Sequence, residues 1–229
     1  MTTRPTALSL DDLGRVSGGQ AAYGTQGNDT IASGDGHDTV FANGGNDLIL
    51  SGQGDDLVVG GSGDDEVRAS DGNDSIFGQD GNDTILAGEG RDYVDGGAGD
   101  DSIDGGGGQD ALHGGEGNDA FDGGGRDLAN DFAEGGAGDD SFVWGQAHGN
   151  DTFHGGAGQD VITLTNVTEQ QLRAGLDIGF GNVTISVSAT GMVQFLDANG
   201  QPVSVTGSFT LGGERLSFLE VEQFRITPG

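Results

Sequence analysis

Residues 96–122 read Gly96-Gly97-Ala98-Gly99-Asp100-Asp101-Ser102-Ile103-Asp104, then Gly105-Gly106-Gly107-Gly108-Gln109-Asp110-Ala111-Leu112-His113, then Gly114-Gly115-Glu116-Gly117-Asn118-Asp119-Ala120-Phe121-Asp122. Three units of nine residues stand head to tail. Each opens on a double glycine and carries glycine at position four, aspartate at position six and a large apolar residue at position eight. Outward from this stretch the same period runs without slip from Gly24 to Asp122, eleven units in all. Position four is glycine in every unit, from Gly27 to Gly117. Position six is Asp29, Asp38, Asp47, Asp56, Asp65, Asp74, Asp83, Asp92, Asp101, Asp110 and Asp119. Position eight is Ile31, Val40, Ile49, Val58, Val67, Ile76, Ile85, Val94, Ile103, Leu112 and Phe121. Self-similarity at a short fixed period marks a solenoid built from stacked units.

The period then stutters. Residues 123–134 form a twelve-residue unit in which Asn130-Asp131 takes the usual place. A regular unit follows around Asp140, an eleven-residue unit carries Asp151, and a last regular unit holds Asp160 and Ile162. Earlier units depart at their first two positions, as in Ala42-Asn43, Ala69-Ser70 and Gly78-Gln79. The period is lost after Thr163.

The pattern GGxGxDxUx, with U a large apolar residue, closely resembles the RTX repeat of hemolysin-type calcium-binding proteins. The resemblance covers residues 24–163. It implies an all-β fold, a parallel β-roll in which two repeats make one coil and calcium sits between successive coils. It also implies a secreted protein passed unfolded through a type I ABC exporter, because cytosolic calcium is too low to fold the roll.

Elementary chemistry points the same way. Glycine supplies positive φ at tight turns without steric cost. The last three positions of each unit are strand-like, and side chains there alternate between faces. With position eight inward, positions seven and nine face out, which suits Thr30, Thr39, Ser75, Thr84 and Ser102. One inward residue per nine makes a thin core, too thin to offset the conformational entropy of so long a segment. With two repeats per coil, units i and i+2 lie one coil apart, at the strand spacing of ~4.8 Å. Asp29, Asp47, Asp65, Asp83, Asp101 and Asp119 then form one ladder, and Asp38, Asp56, Asp74, Asp92 and Asp110 the other. Carboxylates at that spacing repel by roughly 3 kcal/mol at an effective dielectric of about 20. Calcium reverses the sign, since it takes carboxylate and carbonyl oxygens in flexible geometry. Magnesium demands octahedral order and keeps its waters, and zinc and copper prefer imidazole or thiolate. Residues 24–163 hold 30 acids and three arginines, and the i,i+2 aspartate pairs number nine in the regular units or thirteen with Asp131, Asp140, Asp151 and Asp160. About nine to thirteen Ca²⁺ are therefore expected.

Composition excludes other classes. The 229 residues include 49 glycines, only three prolines and no cysteine, with a net charge of −30 and no lysine. A nucleic-acid binder needs a positive footprint, and a Walker loop needs its lysine. Thiol chemistry and disulfides are ruled out. Three prolines exclude collagen, and no apolar run reaches the roughly 18–20 residues of a membrane span. No EF-hand loop, G-x-S-x-G elbow or HExxH helix occurs, so a non-enzymatic protein is expected. His148 and His154 flank Asp151, where a zinc site is conceivable, whereas His37 and His113 fall at variable, solvated positions.

The ends differ from the repeats. Leu8-Ser9-Leu10-Asp11-Asp12-Leu13-Gly14-Arg15-Val16-Ser17-Gly18-Gly19 resembles a double-glycine leader, cut after the second glycine. The competing reading of residues 1–23 is a helix that caps the open end of the roll. Residues 164–229 are read as a C-terminal β cap, with a helix from Val167 to Leu176 N-capped by Thr168. Strands are expected at Val183–Ser188, Met192–Leu196, Val203–Leu211 and Arg215–Ile226. The ending Leu216 to Phe224 resembles the C-terminal segments of secreted RTX proteins and is a candidate secretion signal.

One surface lies outside the motif. Phe41, Val59 and Phe77 at position nine, with Leu57 and Tyr93 at position seven, form an apolar stripe on one side of the roll. A contiguous patch marks a contact. A terminal segment, a second roll or a glycan are its candidate covers. The glycan supports the rival class, a carbohydrate-binding accessory module like those of alginate epimerases.

Overall fold

The computed structural model describes residues 19–124, 127–178 and 184–227. The leader or capping reading of the N-terminus falls almost wholly outside the described residues. Strands alternate between two sheets. One sheet takes Ala21–Tyr23, Thr39–Gly44, Leu57–Ser62, Ser75–Asp80, Tyr93–Ala98, Ala111–Glu116, Phe132–Ala137 and Thr152–Ala157. The other takes Thr30–Ala32, Leu48–Leu50, Glu66–Asp71, Thr84–Glu89, Ser102–Gly107, Ala120–Asp122, Ser141–Gly145 and Val161–Thr165. Neighbours in each sheet are parallel and two units apart, with Thr39 opposite Leu57 and Thr84 opposite Ser102. This is the parallel β-roll expected from the repeats.

Position eight is buried throughout, from Ile31 to Phe121 and on to Phe142, Phe153 and Ile162. The expectation of three-residue strands and one inward residue per nine is corrected. Most strands run six residues, through positions one to three of the following unit, and position one also faces inward. Ala42, Ser51, Ala69 and Ala87 occupy it, all fully buried; Ser33 is half-buried there, Trp144 and Leu164 hold it near the C-terminal end, and glycine fills the other units. Sequence patterning misses this because a residue with no side chain, or a methyl alone, leaves no hydrophobic signal.

Positions two and four sit at positive φ, as at Gly97 (110°) and Gly99 (129°). A Cβ on either would strike a carbonyl of the preceding coil, that of Gln79 or Gly81. Asn43, Ser70 and Gln79 hold position two at φ of 76° to 89°, strained for residues with a Cβ.

The roll extends past both ends of the repeat run. Ala21–Tyr23 pairs in parallel with Thr39–Gly44. Residues 19–23 thus act as the second half of a unit without its signature, with Gln20 where aspartate would stand. At the far end the strand expected across Arg215–Ile226 is two strands. Glu214–Val221 continues one sheet, Ser217 opposite Thr152, and Gln223–Thr227 continues the other, Gln223 opposite Val161. Antiparallel strands then cover both edges: Val205–Leu211 and Leu176–Ile178 on one sheet, Met192–Leu196 and Thr184–Val187 on the other. Covered edges do not template pairing with another chain. The core changes with them, from Val and Ile to aromatics: Phe142 stacks on Phe153 at 5.2 Å, and Trp144 meets Phe209 edge-on at 5.7 Å. The helix is Glu169–Gly175, with Thr168 as N-cap in a capping box with Gln171 and Leu172 buried beneath it.

Candidate metal ladders

All fifteen aspartates singled out from sequence fall into two ladders, one along each turn edge of the roll. Asp38, Asp56, Asp74, Asp92, Asp110, Asp131 and Asp151 precede successive strands of the first sheet. Asp29, Asp47, Asp65, Asp83, Asp101, Asp119, Asp140 and Asp160 precede those of the second. The longer unit that carries Asp131 leaves the register intact, for Asp110 N–H donates to Asp131 Oδ1 at 3.0 Å.

One hydrogen bond recurs along both ladders. The backbone N–H of each aspartate donates to Oδ1 of the aspartate one coil on: Asp47 to Asp65, Asp65 to Asp83 and Asp74 to Asp92, each at 2.8 Å. One carboxylate oxygen is thereby spent on the fold. The other is not. Oδ2 of Asp38, Asp47, Asp56, Asp65, Asp74, Asp83, Asp92, Asp101, Asp110, Asp119, Asp131, Asp140 and Asp160 is buried without a partner. Asp29 and Asp151 differ. Thr25 donates to Asp29 Oδ2 through its N–H and, at 2.9 Å, its hydroxyl, and Asp151 lies against the Trp144 indole.

Burial pushes many of these carboxyls up, helped at Asp74, Asp101, Asp110, Asp140 and Asp151 by neighbours in the same ladder. Asp74, Asp101, Asp131, Asp140 and Asp151 are raised to about 7 and Asp110 to about 8. The hydrogen bond from the preceding aspartate opposes the rise and does not cancel it. A buried, unpaired carboxylate oxygen costs several kcal/mol unless it is protonated or ligated.

In most units that open on glycine a backbone carbonyl converges with the free oxygen. A Cβ on Gly96 would strike both Asp101 Oδ2 and the Gly114 carbonyl, and one on Gly114 would strike Asp119 Oδ2 and the Gly135 carbonyl. Glycine at position one thus leaves room where a carboxylate and a carbonyl converge. Among the described residues, no three His, Asp or Glu side chains gather about one point. A cation here would need carbonyls for much of its shell, which suits a hard ion of high coordination number.

The family model for the RTX calcium-binding nonapeptide repeat matches residues 23–58, 59–94, 87–121, 126–143 and 148–164, more than half of the chain. The chain belongs to that RTX family. No curated protein matches it. RTX repeats bind Ca²⁺, and the orphaned Oδ2 atoms with their facing carbonyls fit that ion. Calcium bound there would supply the positive charge that the buried carboxyls lack.

Sequence reasoning missed a second ladder, an outer one at position five. It runs Asn28, Asn46, Asp64, Asn82, Asp100, Asn118 and Asp139. Each side-chain oxygen accepts the backbone N–H of the next residue, as Asp64 does from Asn82 at 3.0 Å and Asn82 from Asp100 at 2.8 Å. From Asn46 to Asp139 amide and carboxylate alternate, so no two charges are adjacent. The signal was present as the Asn/Asp bias at position five.

The histidines are also placed. His148 lies 4.0 Å from Asp122, while His154 contacts Glu220 at 2.8 Å and Glu134 at 3.8 Å. Irregular spacing placed the pair near Asp151 in sequence, but they serve different sheets, so the zinc site is not formed. The apolar stripe is real and longer than expected. Tyr23 stacks on Phe41 at 5.6 Å, and Phe77, Tyr93, His113 and Phe132 follow ring to ring at 5.3–6.0 Å. The described C-terminal residues stack on the opposite end of this sheet from Phe41 and do not cover it.

Proposed function

We propose that this is a secreted protein whose roll forms outside the cell when calcium fills the two aspartate ladders. The fifteen aspartates supply the carboxylates, about nine to thirteen ions are held, and the folded roll serves as a structural or interaction module with no catalytic role. The observation that carries the reading is the row of thirteen buried aspartate oxygens without a partner. With every such group ionised and nothing bound, the fold works against its own charge; with calcium, binding free energy becomes folding free energy. Export through a type I ABC transporter agrees with this coupling, since the chain stays unfolded where calcium is scarce. No helix among the described residues is long and apolar enough to cross a membrane. Circular dichroism during a calcium titration tests the reading. The chain should pass from coil to β near the ~10⁻⁴–10⁻³ M range of extracellular modules. A full β spectrum at neutral pH in excess chelator would sink it.

The aromatic row from Tyr23 to Phe132 favours a second reading, a carbohydrate-binding accessory module. Rings in line, with Tyr23, Tyr93 and Phe132 exposed and Phe41 and Phe77 half-buried, offer apolar faces to sugars, and self-association through the same face is the competing use. Affinity electrophoresis against soluble polysaccharides separates the two: retardation marks glycan binding, and its absence beside a dimer in light scattering marks self-association.

A further inference from the structure

Glu222 lies outside the nonapeptide pattern, yet it stands in the aspartate ladder. Val161 is opposite Gln223 in parallel register, so the residue before each is equivalent: Asp160 in one coil and Glu222 in the next. The hydrogen bond of the ladder continues across them. Asp140 N–H donates to Asp160 Oδ1 at 2.9 Å, and Asp160 N–H donates to Glu222 Oε2 at 2.8 Å.

The carbonyl side of the arrangement continues as well. A Cβ on Gly135 would strike Asp140 Oδ2 and the Gly155 carbonyl; a Cβ on Gly155 would strike Asp160 Oδ2 and the Glu220 carbonyl. Glu220 therefore does for the last coil what a position-one glycine does for the others. It sits at φ of 51°, a conformation that a residue with a Cβ adopts at a cost. Asp160 is fully buried and its Oδ2 has no partner. The turn between Glu220 and Glu222 is shorter than that of a regular unit, and the longer arm of glutamate spans the difference. The other ladder ends differently: Leu216, buried and apolar, follows Asp151.

We propose that Asp160, the Glu222 carboxylate and the Glu220 carbonyl form a terminal calcium site that fixes Glu214–Val221 and Gln223–Thr227 in register on the roll. This rests on the reading that the aspartate ladders hold calcium. The site makes docking of the C-terminal strands depend on calcium.

The test compares Glu222→Gln with Asp83→Asn in the full chain, with CaCl₂ as probe. Bound calcium is counted by equilibrium dialysis, and amide hydrogen exchange is followed by mass spectrometry. Glu222→Gln keeps the hydrogen-bond acceptor and is expected to lose about one calcium. Exchange over 214–227 should quicken roughly tenfold or more while 39–116 stays protected. If Asp83→Asn loses calcium and Glu222→Gln matches wild type in both measurements, the terminal site is overturned and the ladder reading stands. If neither variant loses calcium, the ladder reading fails and takes the terminal site with it. Should Glu222→Gln not fold, Glu222→Asp keeps the charge on a shorter arm and should show one weakened site. Wild-type affinity at every site in that variant would overturn the proposal.

Discussion

The backbone N–H of Asp83 donates to Asp101 Oδ1 at 2.8 Å, while Asp101 Oδ2, a few ångströms away on the same carboxylate, is buried without a partner. Along the ladders, Asp29 and Asp151 apart, each aspartate is thus split between two tasks, one oxygen tying adjacent coils and one left for a cation.

That division makes mid-ladder and end-ladder residues unequal. Asp83 lies between Asp65 and Asp101, whereas Asp29 begins its ladder and has Oδ2 taken by Thr25. Asp83→Asn should lower the calcium count by about two, and Asp29→Asn by one at most. Equilibrium dialysis of the two variants checks this, and equal losses would argue against sharing between coils.

The carboxyls raised by burial set a pH dependence with a definite sign. Among them Asp65, Asp74 and Asp110 lie at about 6, 7 and 8 in the fold, above the ~3.9 of an unfolded aspartate. The metal-free fold therefore binds more protons than the unfolded chain between those limits, and its stability falls as pH rises through them. Metal-stripped protein should show more β structure by circular dichroism near pH 4–5 than at pH 8. Protons and calcium compete for the same oxygens, so apparent calcium affinity should rise from pH 6 to pH 8. A flat affinity over that interval would contradict the assignment.

The outer ladder offers a test of charge spacing. Asn82 separates Asp64 from Asp100. Asn82→Asp places three carboxylates in consecutive coils and should destabilise the calcium-loaded roll by roughly 0.5–1 kcal/mol. The urea midpoint at fixed calcium measures it, and added salt should shrink the difference.

The aromatic row can be separated from the metal sites. Phe41 and Phe77 face away from the core at position nine and touch Tyr23 and Tyr93. Phe41→Ser with Phe77→Ser should leave the calcium count unchanged while altering self-association or polysaccharide retardation. If light scattering, thermal midpoint and retardation all match wild type, the row is ordinary surface.

Much of this was legible because a solenoid writes its fold locally. Asp, Gly and an apolar residue recur at positions six, four and eight, and stacking coils at a constant rise turns that period into two ladders. The illegible parts are those where a residue's role depends on what stacks on it. Through the regular units position one is inward but filled by Gly, Ala or Ser, so Ala42 and Gly96 carry no apolar signal. Gln20 and Glu222 occupy aspartate positions in coils whose sequences have lost the repeat.

The sequence by itself determined the period, the β-roll, the family and the fifteen aspartates singled out, because each follows from residues within about a dozen of one another. Only the tertiary structure decided which carboxylate oxygen is spent on a hydrogen bond, that His148 and His154 part to different sheets, and that Glu220 and Glu222 continue the ladder. The last of these joins residues whose separation along the chain follows no period, the 62-residue step from Asp160 to Glu222. Parallel strand pairing imposes that register across the gap, and no local pattern encodes it.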